Sequence, residues 1–383
     1  MINHGDGATL GIIEWLGGDE CHDLDDAGLI ATLARRLVGA GLPLDRLTLH
    51  LRTLHPEIVG RSLAWAPDEP VEVYDREHGI QRSAVYVGSP LQKVMEGHEW
   101  TELRLAPANE EPRSRLNLLQ GRGIRHAILA PLVDGDGPAS AVMFGTCRNH
   151  GFSDADRLLI ERILPPLRGA CALRTLREVE TTLLDTYVGV ATGRRILAGR
   201  IRRGEAESLE AALLLCDLRG FTALSERLPS RRVLELLNLY FDQIVPAITA
   251  DGGEILKFMG DAVLAFFRRE GGGRESCVAA YDAACTGLDR LATVHVPDAT
   301  LTAGVALHFG NVSYGNIGSS QRLDFTVIGR DVNLLSRIQT ACGATGRPLL
   351  MSERFASLLG RPEIKSVGRH SLKGIAAAIE LFA

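Results

Sequence analysis

The stretch 252-GGEILKFMGDAVLAFF-267 sets a lysine and an aspartate, Lys257 and Asp261, around a Met259-Gly260 turn between two apolar runs. Upstream, the apolar run 211-AALLLCDL-218 ends at another aspartate, Asp217, which opens the turn DLRGFT. Singly, an aspartate at a strand end usually caps a turn, and a charged hairpin tip is usually solvated. Two carboxylates on neighbouring strands are different. They repel unless a cation lies between them, so the pair reads as a divalent-metal site. All-oxygen ligation favours Mg2+ or Mn2+ over zinc. The turn Gly220-Phe221-Thr222 leads into a helix and would aim backbone N–H groups at phosphate. Asn333 and Arg337 stand at i and i+4 of a helical stretch, so they share one face. A guanidinium there can clamp phosphate through two parallel N–H donors. Near the C-terminus, SLKGI places Lys373 beside a glycine in a loop between strands. The helical pair and Lys373 also have an ordinary reading as solvated surface.

The elements that must position these groups follow from periodicity. AALLLCDL is a short, buried strand, and 231–250 is an amphipathic helix. EILKFM and AVLAFF form a hairpin, and a second helix covers about 275–292. LTAGVALHFG and VSYGNIG read as two further strands, followed by a helix over 329–342. The order β-α-β-β-α-β predicts a ferredoxin-like sheet. In that sheet the strands bearing Asp217 and Asp261 are neighbours.

The 383 residues suffice for two or three domains. A net charge of −5 does not point to nucleic acid or an anionic membrane as the main partner. No apolar run approaches the roughly 20 residues needed to cross a bilayer, and the first residues lack a secretion-signal pattern. The seven cysteines form no CxxC pair, which suggests reduced thiols in a cytoplasmic protein without a zinc site.

Taken together, DLRGFT, GGEILKFMGDAVLAFF, HFGNVSYGNIGSSQRLDFTVIG and GRDVNLLSR, in this order and spacing, resemble the catalytic domain of class III nucleotidyl cyclases. The resemblance covers roughly 208–383 and implies an α+β fold with the catalytic domain at 206–383. It implies that Asp217 and Asp261, helped by the Leu218 carbonyl, hold two Mg2+ or Mn2+ ions per active site. It casts Asn333 as the residue that orients the ribose, Arg337 as the arginine on the α-phosphate and Lys373 as the lysine on the terminal phosphates. In this family the base is read by a lysine with an aspartate or threonine partner where the substrate is ATP. Here that pair is Lys257 and Thr326. A lysine can donate to adenine N1 but meets another donor at guanine N1–H, so ATP is the expected substrate and an adenylate cyclase the expected enzyme. A guanylate or relaxed-specificity cyclase, and a catalytically silent nucleotide-binding sensor, are the alternatives. The Lys/Thr pair resembles a bacterial subgroup in which several members respond to bicarbonate. Arg330-Asp331 departs from the small or polar pair common after the glycine of GRDVN, and Arg330 adds either a charge near the site or an exposed helix start. Family sites form between two protomers, one giving the aspartates and the other the Lys/Thr and Asn/Arg sets. A homodimer with two equivalent sites is therefore expected.

The N-terminal half reads as helix over 29–41, strand over 47–54, then strand, Gly/Asp/Pro-rich turn and strand over 123–146. A helix opens at FSDAD with Ser153 as N-cap. The stretches 123–146 and 151–163 resemble a GAF domain, a match confined to about 100–165, which implies a GAF-like α/β sensor or dimerisation module over 1–165 with an unidentified small-molecule ligand. His50, His55, His98 and His126 are scattered and specify no metal or haem. After a break at Pro165-Pro166, residues 166–205 are expected to form a helical connection. Leu173, Leu176, Val179, Leu183, Tyr187 and Val190 make a stripe suited to a coiled coil or to packing on the helix's own domain. The segment 195–208 is basic and polar, as a linker would be. The string 17-GGDE-20 lacks the flanking strands of a catalytic turn and reads as an acidic loop.

Overall fold

In the computed structural model the described residues are 4–105, 122–132, 139–268, 270–297 and 299–383. The chain divides into two compact units, Met1–Leu183 and Leu184–Ala383.

The first unit opens with helices α1 (His4–Leu16), α2 (Asp19–His22) and α3 (Asp26–Gly39). Asp25 caps α3 by accepting from the Gly28 amide at 2.7 Å. Strands β1 (Arg46–Arg52), β2 (Ile58–Trp65) and β3 (Glu72–Glu77) follow, then α4 (Pro90–Gly97), β4 (Thr101–Arg104), β5 (His126–Leu132) and β6 (Ser140–Thr146). Their order in the sheet is β3-β2-β1-β6-β5-β4, and every pairing is antiparallel. Alternation along β1 sends Leu47, Leu49 and Leu51 into a core shared with Leu29, Leu33 and Leu37 of α3. The expected turn between β5 and β6 lies largely outside the described residues.

The helix α5 spans Asp154–Val188 without interruption. Ser153 caps it as expected: its Oγ accepts from the Asp156 amide at 3.2 Å, and Asp156 Oδ2 accepts from the Ser153 amide at 2.8 Å. The expected break at Pro165-Pro166 does not occur. The prolines forfeit backbone donors, but Ile160, Ile163, Leu167, Ala170 and Cys171 are buried on either side of them and hold the helix in line.

The second unit contains α6 (Val190–Leu197), β7 (Ala206–Leu218), α7 (Phe221–Arg227), α8 (Ser230–Ala250), β8 (Glu254–Met259), β9 (Ala262–Phe267), α9 (Gly273–Ala292) and β10 (Ala303–Gly318). It ends with β11 (Leu323–Ile328), α10 (Arg330–Thr345), β12 (Leu349–Ser352), α11 (Glu353–Leu359), β13 (Ser366–His370) and β14 (Ile379–Phe382). The central order β10-β7-β9-β8, antiparallel throughout, is the ferredoxin-like arrangement expected. β12, β14 and β13 extend the sheet beyond β10, and β11 pairs with β10.

Helices cover both faces. Leu236, Tyr240, Ile244 and Ile248 of α8 pack on Ala212, Leu214 and Cys216, while Leu335, Ile338 and Cys342 of α10 belong to the cluster of Leu213 and Leu215. Burial on both sides explains why β7 reads as an unbroken apolar run. The two strands expected at LTAGVALHFG and VSYGNIG are one strand, β10. Gly310 at their junction is no break: a Cβ there would collide with the Asp331 carboxylate, which reaches over it to accept from the Asn311 amide at 2.7 Å.

Candidate active site

Asp217 closes β7, with Ala262 of β9 on one side and Gly304 of β10 on the other. Asp261 precedes Ala262 at the β8–β9 turn, where Gly260 takes a positive φ of 67°. The pairing brings the two carboxylates together. Burial, then the neighbouring Asp261 carboxylate, push the Asp217 pKa up to about 6. Leu218 is buried at 3% exposure, and its backbone carbonyl is the one group it could offer a metal. Among the described residues no group of three or more His, Cys, Asp or Glu could hold a metal ion. The donor set here is two carboxylates, and their mutual repulsion fits a hard divalent cation.

Beneath the pair, the Tyr240 hydroxyl donates to Cys216 Sγ at 3.1 Å in full burial. Phe221 and Thr222 begin α7, where Gly220 adopts a left-handed φ of 69° and supplies no side-chain cap. Phe221 packs on the core and Thr222 is exposed.

Lys257 stands on β8 and donates to Asp324 Oδ2 of β11 at 2.5 Å. Asp324 and Thr326 are two residues apart on that strand and so share a face. Thr326 is buried at 6% exposure, opposite Gly315. Lys257 and Asp324 line a cleft of about 940 Å³. Sequence reasoning passed over Asp324, although the i, i+2 spacing to Thr326 was a usable signal.

Asn333 and Arg337 lie one turn apart on α10, the first exposed and the second half-buried. Among the described residues the Arg337 guanidinium has no hydrogen bond or ion pair, and none joins Asn333 or Arg337 to Asp217 or Asp261. Lys373 is exposed in the loop between β13 and β14. Arg330 is an exposed helix start, whereas Asp331 holds the Asn311 amide and faces the buried His308 at 3.4 Å.

Residues 205–382 match the family model of the adenylate and guanylate cyclase catalytic domain. An adenylate cyclase of Anabaena cylindrica is 30% identical to this chain over 196 residues, covering 50% of the chain and 38% of the relative. The photoactivated adenylate cyclase subunit alpha of Euglena gracilis is 28% identical over 188 residues, covering 48% of the chain and 18% of the relative. The chain thus spans well under half the length of either curated relative. A solved bacterial light-regulated adenylyl cyclase is 20% identical, covering 88% of this chain and 93% of that one at a TM-score of 0.50. At that identity the likeness is one of fold.

The segment leading to residues 205–382 is packed at Thr192 and Gly193, whereas 197–206 of the expected polar linker are exposed. Thr192 of α6 is buried at 1% exposure and its hydroxyl lies 3.0 Å from the Tyr314 hydroxyl and 3.3 Å from Glu254 Oε1. The Tyr314 hydroxyl also donates to Glu254, whose pKa is raised by burial. Arg195 pairs with Glu207 at 3.0 Å and lies over the Tyr314 ring at 4.7 Å. Arg195 is thus held by a carboxylate on β7 and an aromatic ring on β10, while residues 197–206 are exposed. Among the described histidines, His50 bonds to Ser62, His126 accepts from the Phe152 amide, and His98 closes α4, so they share no site.

Proposed function

We propose that the second unit is the catalytic part of a class III adenylate cyclase, converting ATP to 3′,5′-cyclic AMP and pyrophosphate. The observation that carries this reading is the Asp217–Asp261 carboxylate pair at the ends of adjacent strands.

Asp217, Asp261 and the Leu218 carbonyl would hold Mg2+ or Mn2+, two ions per site. Bound there, the ions supply charge neutralisation on the triphosphate and acidify the attacking 3′-hydroxyl. Asn333 orients the ribose so that this hydroxyl faces the α-phosphate in line with the departing pyrophosphate. Arg337, a guanidinium without a hydrogen bond or ion pair among the described residues, pairs with the charge that develops on the α-phosphate. Lys373, exposed on a loop, meets the terminal phosphates, and the first-turn amides at Phe221 and Thr222 face phosphate. Lys257 donates to adenine N1, and Thr326 accepts from the 6-amino group.

Among the described residues no hydrogen bond or ion pair joins the aspartates to Asn333 or Arg337 within one chain, which supports a homodimer with two composite sites. Apolar side chains at the hairpin and β11 stand ready for burial: Phe258 is 51% exposed, Met259 43%, Leu323 41% and Ile328 49%. The stripe on α5 is similarly open, with Leu176 57% and Tyr187 77% exposed, as a parallel coiled coil between two copies would require. On this reading the first unit is a regulatory, GAF-like domain and bicarbonate is a candidate effector of the second.

The decisive experiment incubates the purified chain with ATP or GTP and Mn2+, with and without bicarbonate, and quantifies both cyclic nucleotides. Cyclic AMP in excess is expected. Predominant cyclic GMP would reverse the base assignment, and neither product would reduce the unit to a nucleotide-binding sensor.

A further inference from the structure

The sheet of the first unit has a second face, turned away from α3, and that face holds a cavity. Strand alternation sets its floor. β1 contributes His50 and Arg52, β2 contributes Gly60 and Ser62, and β3 contributes Arg76. The register stacks them in two rows, His50–Ser62 and Arg52–Gly60–Arg76. In the second row, two arginines flank a residue with no side chain. Strands lie roughly 4.8 Å apart, so the arginine backbones stand roughly 10 Å apart across a gap. The gap is enforced, because a Cβ at Gly60 would collide with the Leu51 carbonyl oxygen. Ile80, Tyr86, Leu91 and Met95 complete the wall. Its volume is about 90 Å³, whereas one water needs only roughly 10–15 Å³. The cavity therefore suits a small molecule rather than a single ion.

Its charge is unbalanced. Arg76 Nε donates to Ser62 Oγ at 3.3 Å and Ser62 Oγ lies 2.9 Å from His50 Nδ1, but neither Arg52 nor Arg76 has a carboxylate partner among the described residues. Arg61, on the opposite face, is fully engaged by Asp75 at 2.7 Å and Glu178 at 3.6 Å. Glu96 on α4 is occupied by Gln92 at 2.9 Å and by Tyr86. Burial and the nearby Arg76 hold the His50 pKa down to about 4, so the imidazole is neutral at pH 7 and adds a hydrogen-bonding group without charge. Two like charges beside an apolar wall are unfavourable unless an anion lies between them. Guanidinium forks match a planar carboxylate, and the apolar wall calls for a ligand body that is not itself hydrated.

We propose that this cavity binds a small organic carboxylate, its carboxyl group held between Arg52 and Arg76 and its flat apolar body against Ile80, Tyr86, Leu91 and Met95.

Isothermal titration and thermal unfolding of the full chain with benzoate test this, with inorganic phosphate in a parallel arm. Saturable binding of one benzoate per chain and a raised Tm are expected. Arg52→Gln and Arg76→Gln should each weaken binding by roughly tenfold or more, while Lys93→Gln on the exposed side of α4 leaves it unchanged. Arg52→Lys keeps the charge and loses the fork, so it should also weaken binding; it supplies the answer if a glutamine variant does not fold. No benzoate binding, or binding indifferent to both arginines, overturns the proposal. Arg-dependent phosphate binding that benzoate does not compete away overturns it as well, because the apolar wall would then play no part.

Discussion

Lys257 and Asp324 form an ion pair of 2.5 Å that ties the β8–β9 hairpin to β11, two residues before the buried Thr326. Their side chains are 28% and 58% exposed, so the pair adds at most about 1 kcal/mol to stability. It is therefore cheap to exchange for a nucleobase. Asp324→Asn should leave the Tm within a few degrees. Lys257→Glu combined with Thr326→Cys should move the ratio of cyclic AMP to cyclic GMP by roughly tenfold or more toward cyclic GMP. Competition between ATP and GTP in one reaction reads the ratio directly, and an unchanged ratio would remove both residues from base reading.

Asp217 and Asp261 work against the stability of the unit they serve. Asp261→Ala should cut turnover by roughly 100-fold or more. The metal-free protein should nonetheless unfold at the same or a higher temperature, because a repulsion has been removed. Calorimetry beside the activity assay separates the two effects. A large drop in Tm would mean that Asp261 is structural.

The raised Asp217 pKa fixes the direction of a pH effect. Its folded value is about 6 against an ordinary 3.8, so the folded metal-free chain holds this proton more tightly than the unfolded chain. The associated stability is fully present below about pH 4 and is lost as pH rises to about 6. Asp217→Asn abolishes the titration, so wild type minus variant isolates that slope in Tm measurements. Mn2+ binding needs the ionised pair, so its affinity should increase as pH rises through about 6.

The lack of any hydrogen bond or ion pair to Arg337 among the described residues of its own chain predicts complementation. Asp261→Ala and Arg337→Ala should each be inactive alone. Mixed in equal amounts and allowed to exchange, they should recover about a quarter of wild-type activity, since half the dimers are mixed and each has one intact site. A mixture as inactive as its components would place the whole site within one chain.

Much of the second unit was legible because its signals are local. The apolar run of β7 ends at Asp217, the turn at Gly260 needs a residue tolerant of positive φ, and the i, i+4 spacing of Asn333 and Arg337 requires only a helix. The misreadings came where a distant partner overrode a local cue. Gly310 looks like a break until Asp331 arrives from α10 to occupy the space its missing side chain leaves. Pro165 and Pro166 look like an end until the flanking residues are seen buried in the core. Arg195 looks like linker charge until Glu207 and the Tyr314 ring meet it.

The sequence by itself determined which chemical groups the chain carries and which neighbours share a face, because helix and strand periods are properties of the local backbone. Only the tertiary structure decided that Lys257 meets Asp324, and that Arg52 and Arg76 flank an empty glycine position. Those meetings depend on strand order and on register across the sheet. A one-residue slip in register would send each of these side chains to the opposite face.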